Sequence, residues 1–188
     1  MGKHLISHLE GNVFGWFASW FYQREYRIIV VGLDGAGKTT IMRLLQTGKI
    51  TTTVPSNHPT YVLAIGFNVD SFNIDQFKVE MWDLGGQSSI RAYWRCYLAN
   101  TDGIVFVVDS ADPERFIIGK AELMALLKEP EIEGVPVLIL SNKSDAEGAR
   151  SAVQVSKALD LASISKRPWS IHQSSAKSGQ GIKEGIKW

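Results

Sequence analysis

The run Gly32-Leu33-Asp34-Gly35-Ala36-Gly37-Lys38-Thr39 lies between the apolar stretch Ile28–Val31 and a helical apolar pattern, and this placement leaves the chain few folds to adopt. It fits G-x-x-x-x-G-K-[ST] in the strand–loop–helix context that the pattern requires. Glycines let the backbone curl until its N–H groups converge on anionic oxygens, and the N-terminus of the following helix adds favourable partial charge. Lys38 can then reach outer phosphates, and the Thr39 hydroxyl can ligate Mg²⁺, with Thr40 beside it at the same helix start. A glycine-rich turn with no ligand would account for the glycines alone. The adjoining Lys-Thr pair is what favours phosphate binding.

The rest of the chain can supply the sheet that such a loop needs. Its 188 residues, 45% of them hydrophobic, suit one domain with a substantial core. From Tyr26 onward, short apolar runs alternate with helical patterns, as in a parallel sheet covered on both faces. Ile28–Val31, Ile104–Val108 and Val135–Leu140 are continuous apolar runs, the pattern of central buried strands. Phe67–Val69 and Phe77–Met81 alternate with polar residues about a turn near Asn73–Gln76, which predicts an antiparallel hairpin. Asp112-Pro113-Glu114 predicts a helix start with Asp112 as N-cap, the helix running to about Lys128. The expected fold class is α/β: a doubly wound, mostly parallel sheet with one antiparallel hairpin strand.

Charge and cysteine content narrow the function. A formal net charge of +1 with no Lys/Arg block argues against a nucleic-acid partner. The single cysteine, Cys96, can form no internal disulfide, which fits the cytosol. Among Tyr93, Trp94 and Tyr97 it reads as a small buried hydrophobe.

Residues 1–24 form a segment of their own, rich in Trp and Phe, ahead of a domain at 25–188. Leu5, Leu9, Val13, Trp16, Phe17, Trp20 and Phe21 recur at three- and four-residue spacing along one helix face. The apolar part is too short to span a bilayer. It lacks the small-residue cleavage site of a signal peptide.

Three more elements follow strand ends. Trp82-Asp83-Leu84-Gly85-Gly86-Gln87 places a carboxylate near a metal, a Gly86 amide that no side chain shields from a third phosphate, and a glutamine able to orient water. Asn142-Lys143-Ser144-Asp145 offers a carboxylate that can accept from guanine's ring N–H and exocyclic amine together, a donor pair adenine lacks. Ser174-Ser175-Ala176-Lys177 follows a strand expected around Trp169–His172, where the Ala176 amide could meet the guanine carbonyl. In an open parallel sheet the carboxyl ends of strands share one edge, where ligands bind. Each of the three is a common loop when taken alone; their order along one edge carries the argument.

With these residues in view, the chain resembles the Arf-like small GTPases over nearly its whole length. Leu33-Asp34, Ile65-Gly66-Phe67-Asn68-Val69, and the run from Trp82 to Arg91 followed by Tyr93-Trp94-Arg95-Cys96-Tyr97 carry the resemblance, closest to the family's Golgi trafficking member. It implies a small G protein fold and a switch that binds GTP or GDP with Mg²⁺ and hydrolyses GTP slowly. The phosphate and base sets would be Gly32 through Thr40 with Gly86, and Asn142, Lys143, Asp145, Ser175, Ala176 and Lys177. Thr39 and Asp83 would serve the metal and Gln87 the catalytic water. Phe67, Trp82 and Tyr97 match an effector-contacting aromatic triad. Implied partners are a guanine nucleotide exchange factor, a GTPase-activating protein, Golgi effectors such as tethers, and a membrane surface met through the N-terminal helix. Implied localisation is cytoplasmic, peripheral on Golgi membranes.

The chain also departs from the family. Between Pro55 and Ile65 it carries Ser56 to Ala64, where the family has a threonine that completes the Mg²⁺ shell. Two readings follow: Thr60 supplies that ligand from a longer loop, as in Sar-type coat GTPases, or the insertion removes it and leaves a GDP-bound, switch-impaired interaction protein. Gly2 permits myristoylation, although Ile6 stands where Ser or Thr is preferred. At the other end the last helix, stopping at Trp188, reads as truncated or unusually short.

Overall fold

The computed structural model describes residues 25–47, 67–74, 77–91 and 93–188. The expectations for residues 1–24, Gly2 among them, and for the inserted segment with Thr60 lie outside these. Six strands form one sheet: β1 (Glu25–Gly32), β2 (Phe67–Ile74), β3 (Phe77–Leu84), β4 (Gly103–Asp109), β5 (Val137–Asn142) and β6 (Trp169–Gln173), in the order β2-β3-β1-β4-β5-β6. β2 and β3 are antiparallel, with Val69 opposite Trp82, and every other pairing is parallel. The expected α/β sheet and its hairpin are therefore present.

Alternation along the strands builds two cores. Ile29, Val31, Ile104, Phe106 and Ile139 face one way and pack with α3 (Phe116–Leu126) and α4 (Ala152–Ala158) through Leu123 and Val155. Val30, Val105, Val107, Leu138 and Leu140 face the other way, against α1 (Lys38–Thr47) and α5 (Ile182–Ile186) through Ile41, Met42 and Ile182. Each such aliphatic side chain, once buried, contributes roughly 1.5–3 kcal/mol. This double cover is why the central strands read as unbroken apolar runs. A short helix, α2 (Ser88–Arg91), and a 3₁₀ turn at Trp94–Tyr97 follow β3.

Three local expectations change. Asp112 does not cap the helix with its side chain; its carboxylate accepts from Arg115 Nε at 2.5 Å, and the chain enters α3 through a 3₁₀ turn at Pro113–Arg115. A charge-assisted bond to a guanidinium outcompetes one to a backbone amide. The helix ends at Leu126, short of Lys128. Cys96 is exposed, not buried. In a 3₁₀ turn, positions three apart share a side, so Trp94 and Tyr97 turn inward together and Cys96 faces out.

α5 is five residues long. Beside it, at the amino ends of β1, β4 and β5, lies a cleft of about 720 Å³ that includes Tyr26, Ile28, Leu138, Ile186 and Trp188. No helix among the described residues is long and apolar enough to cross a membrane.

Candidate functional site: a nucleotide cleft at one sheet edge

The phosphate loop leaves β1 where the sheet order turns, between β3 on one side and β4 on the other. Gly32 has φ +140°, and a Cβ there would stand 2.2 Å from the Val107 carbonyl oxygen on β4, so only glycine fits. Inside the loop, Lys38 is buried and its Nζ donates to the Gly32 and Leu33 carbonyls, each at 3.0 Å. Burial pushes its ammonium down from the usual lysine range, against the pull of Asp83 and Asp34. Asp83, at the end of β3, is buried too, and burial raises its carboxyl above the usual range; the hydroxyl of Thr39, donating to Oδ2 at 2.5 Å, works the other way. A desolvated ammonium and a desolvated carboxylate thus sit at the mouth of α1, each stripped of most of its hydration and only partly compensated by the other.

These groups fit a metal-bound phosphate. The Thr39 hydroxyl and Asp83 carboxylate are hard oxygen donors suited to Mg²⁺. Among the described residues no cluster of three or more His, Cys, Asp or Glu side chains is placed to hold a metal. An ion here would draw its remaining ligands from phosphate oxygens and water, as Mg²⁺ commonly does.

After β3, Gly86 lies hard against the phosphate loop: a Cβ on it would stand 2.3 Å from Asp34 N and 2.4 Å from the Gly32 oxygen. Gln87 is exposed beside it. Asp34 itself is approached by two arginines, Arg91 Nη2 at 3.6 Å from Oδ1 and Arg115 Nη1 at 3.4 Å from Oδ2, with Arg115 also donating to the Asp34 carbonyl at 3.0 Å. Thr40 follows at the third position of α1, half-buried.

The other end of the cleft is built on β5 and β6. Asn142 is fully buried; its Nδ2 donates to the Ala36 carbonyl at 2.8 Å and its Oδ1 accepts from Ala176 N at 2.9 Å, so one side chain joins the two loops. A Cβ on Gly37 would strike that amide at 2.4 Å. Asp145 is exposed, and its Oδ1 accepts from Ser175 Oγ at 2.6 Å. That bond, ahead of the Lys177 ammonium 3.9 Å away, holds the Asp145 carboxyl below the usual range. Lys143 takes a left-handed φ of +62° and donates to Asp109 Oδ2 at 2.6 Å.

The aromatic pair is also assembled. Trp82 and Tyr97 rings lie 5.9 Å apart, both half-buried, with the Arg27 guanidinium 4.0 Å over the Trp82 ring. Phe67 stands opposite Leu84 in the hairpin register, its side chain outside the described set. Sequence reasoning missed Arg91, Arg115, Trp94, Asp109 and Ser110, whose hydroxyl donates to the Asn142 carbonyl at 2.7 Å. Asp109 alone left a trace, as the polar residue closing a buried strand at the same edge.

A carboxylate kept ionised at one end of the cleft and a buried ammonium at the other ask for a ligand with paired donors on one side and several anionic oxygens on the other. A guanine nucleotide meets both demands, and the class is that of phosphate-loop guanine-nucleotide-binding proteins. Residues 13–188 match the ADP-ribosylation factor family, and the chain belongs to it. ADP-ribosylation factor-like protein 1 of Saccharomyces cerevisiae is 46% identical over 180 residues, covering 95% of this chain and 94% of that protein. ADP-ribosylation factor 3 of Arabidopsis thaliana is 45% identical over 172 residues, covering 92% and 90%. Among solved structures, the Arl6 (BBS3) small GTPase of Trypanosoma brucei with bound GppNp superposes with a TM-score of 0.75 at 34% identity, covering 87% of this chain and 94% of that one. The protein is accordingly a GTP-binding switch and a GTP hydrolase of the kind served by exchange factors, activating proteins and effectors.

Proposed function

We propose that this switch works at the cytosolic face of Golgi-type membranes, recruiting effectors such as tethers in its GTP state to regulate vesicle traffic. The observation that carries the nucleotide half of the proposal is the cross-link through Asn142, which sets the Asp145–Ser175 end at a fixed distance from Lys38. In this reading the amides of Gly32 through Thr40 and the Lys38 ammonium hold the phosphates. Asp145 selects guanine, Lys143, Ser175, Ala176 and Lys177 frame the base, and Asn142 aligns the loops. Thr39 and Asp83 hold Mg²⁺ together with Thr60 from the inserted loop. Bound Mg²⁺ would supply charge neutralisation at the outer phosphate oxygens. Gly86 presents its amide to the third phosphate, and Gln87 orients the attacking water.

Gly86→Ala tests the close approach. The added methyl must push the turn off the phosphate loop by on the order of 1 Å, a misplacement that costs about 10²-fold in rate. Single-turnover GTP hydrolysis is expected to fall by that factor while GDP affinity holds. An unchanged rate would remove the third-phosphate role of this glycine.

The membrane half is supported by the aromatic periodicity of residues 1–24 and by the likeness of residues 82–97 to a Golgi trafficking protein. One myristoyl chain on Gly2 would bind membrane only marginally, so the Trp/Phe face is needed as a second anchor. In liposome flotation, Trp16→Glu with Phe17→Glu is expected to lose GTP-dependent binding and keep nucleotide affinity. Equal flotation of variant and parent would mean that this face packs on the domain instead. Exchange of bound GDP for GppNp followed by effector titration, with Phe67, Trp82 and Tyr97 as the contact set, tests the switch as a whole. Failure to exchange would favour the GDP-bound interaction protein.

A further inference from the structure

The two glycines after β3 are held by side chains that carry part of the family resemblance but to which the sequence assigned no role. Trp94 Nε1 donates to the Gly85 carbonyl at 2.9 Å, and Arg91 Nε donates to the Gly86 carbonyl at 2.7 Å. These peptides are trans. In a trans peptide the N–H points opposite to the C=O. Fixing the Gly85 carbonyl therefore aims the Gly86 amide, and fixing the Gly86 carbonyl aims the Gln87 amide.

Trp94 is buried in the core, so its end of this arrangement is static. Arg91 is different. Its Nη1 donates to Glu122 Oε1 on α3 at 3.0 Å, and its Nη2 lies 3.6 Å from Asp34 Oδ1 in the phosphate loop. One guanidinium, its side chain 13% exposed, thus spans the turn, the helix and the loop. The planar fork of an arginine can serve several acceptors at once; a lysine ammonium is a single compact donor on a flexible stem. Glu122, 31% exposed, holds one branch of the fork and so fixes how Arg91 meets the turn.

We propose that Arg91, oriented by Glu122, is a positioning residue for GTP hydrolysis: it seats the Gly86–Gln87 peptide against the phosphate loop. This rests on the reading of Gly86 and Gln87 given above, because the hydrogen bond that the guanidinium makes in the turn is to the Gly86 carbonyl, and its longer approach to Asp34 meets that residue's side chain and not the loop amides assigned to phosphate. It requires that the effect be specific for the nucleotide with a third phosphate, since GDP offers Gly86 nothing to bind. An ion pair that merely stabilises the fold would treat the two nucleotides alike.

The test uses the full chain, with Arg91→Lys, Glu122→Gln and the double variant, and with Lys120→Ala, on the same helix as Glu122, as a control that removes a separate exposed pair with Asp160 beyond α4. Single-turnover hydrolysis of GTP, dissociation rates of GppNp and GDP, and melting temperature are measured on each. Arg91→Lys and Glu122→Gln are each expected to slow hydrolysis by about ten- to a hundredfold and to speed GppNp release by about tenfold. GDP release and melting temperature stay at parental values, and the double variant is no worse than Arg91→Lys, as for residues acting in one unit. Lys120→Ala matches the parent throughout. If Arg91→Lys fails to fold, Glu122→Gln carries the test by the same readouts. Equal acceleration of GppNp and GDP release, or no change in either variant, overturns the inference while a hydrolysing parent keeps the functional reading intact. A parent that neither holds GppNp nor hydrolyses GTP overturns both.

Discussion

Asp145→Asn is expected to lower affinity for guanine nucleotides by about 10⁴-fold, the discrimination found where a site built for a hydrogen-bond pattern meets the wrong one. The carboxylate presents acceptors to both donors on guanine's edge; an amide presents a donor to one of them. Xanthine carries a carbonyl at that position, so the same variant should gain xanthine nucleotides. Because the Ser175 hydroxyl holds the Asp145 carboxyl below its usual range, the anionic form persists as pH falls through the ordinary carboxylate range, and guanine selection in the parent should persist with it. Competition binding of GTP against XTP to parent and variant reads the effect directly. Retained guanine preference in the variant would withdraw Asp145 from base recognition.

Gln87→Leu has the second large effect, and it appears only in the presence of an activating protein. No arginine lies between Leu44 and Ser89. Among the described residues, the two arginines beside Asp34 are engaged: Arg91 with the Gly86 carbonyl and Glu122, and Arg115 with Asp112 and the Asp34 carbonyl. Intrinsic turnover should therefore be very slow, and an arginine supplied in trans should raise it by about 10³ to 10⁵. Leucine cannot orient water, so the variant loses that stimulation while GTP binding and effector recruitment persist. Single-turnover hydrolysis with and without an activating protein, beside an effector pull-down, separates the outcomes. No stimulation of the parent and no GTP-dependent pull-down would leave the GDP-bound interaction protein as the account.

Much of the site could be read before any fold was known, because each element answers a local demand. A backbone that must curl needs glycines in sequence, as at Gly32, Gly35 and Gly37, all of which take positive φ. A strand buried on both faces must be apolar throughout, as β5 is. What could not be read is which side chains these elements share. Asp112 had the residue type of a cap and found Arg115 instead, and Cys96 had aromatic neighbours yet faces solvent, since both outcomes depend on how a 3₁₀ turn sets its sides.

The sequence by itself determined the phosphate loop, the two-glycine turn and the Asn142–Asp145 loop, each just after the end of a strand, for these rest on backbone geometry that neighbouring residues impose. Tertiary structure alone decided that Asn142 ties Ala36 to Ala176, that Arg91 joins Gly86, Glu122 and Asp34, and that Arg115 reaches Asp34 across 81 residues of chain. Such contacts follow from the strand order, which brings distant strand ends side by side, and no periodicity or spacing along the chain records which partner a long polar side chain will meet there.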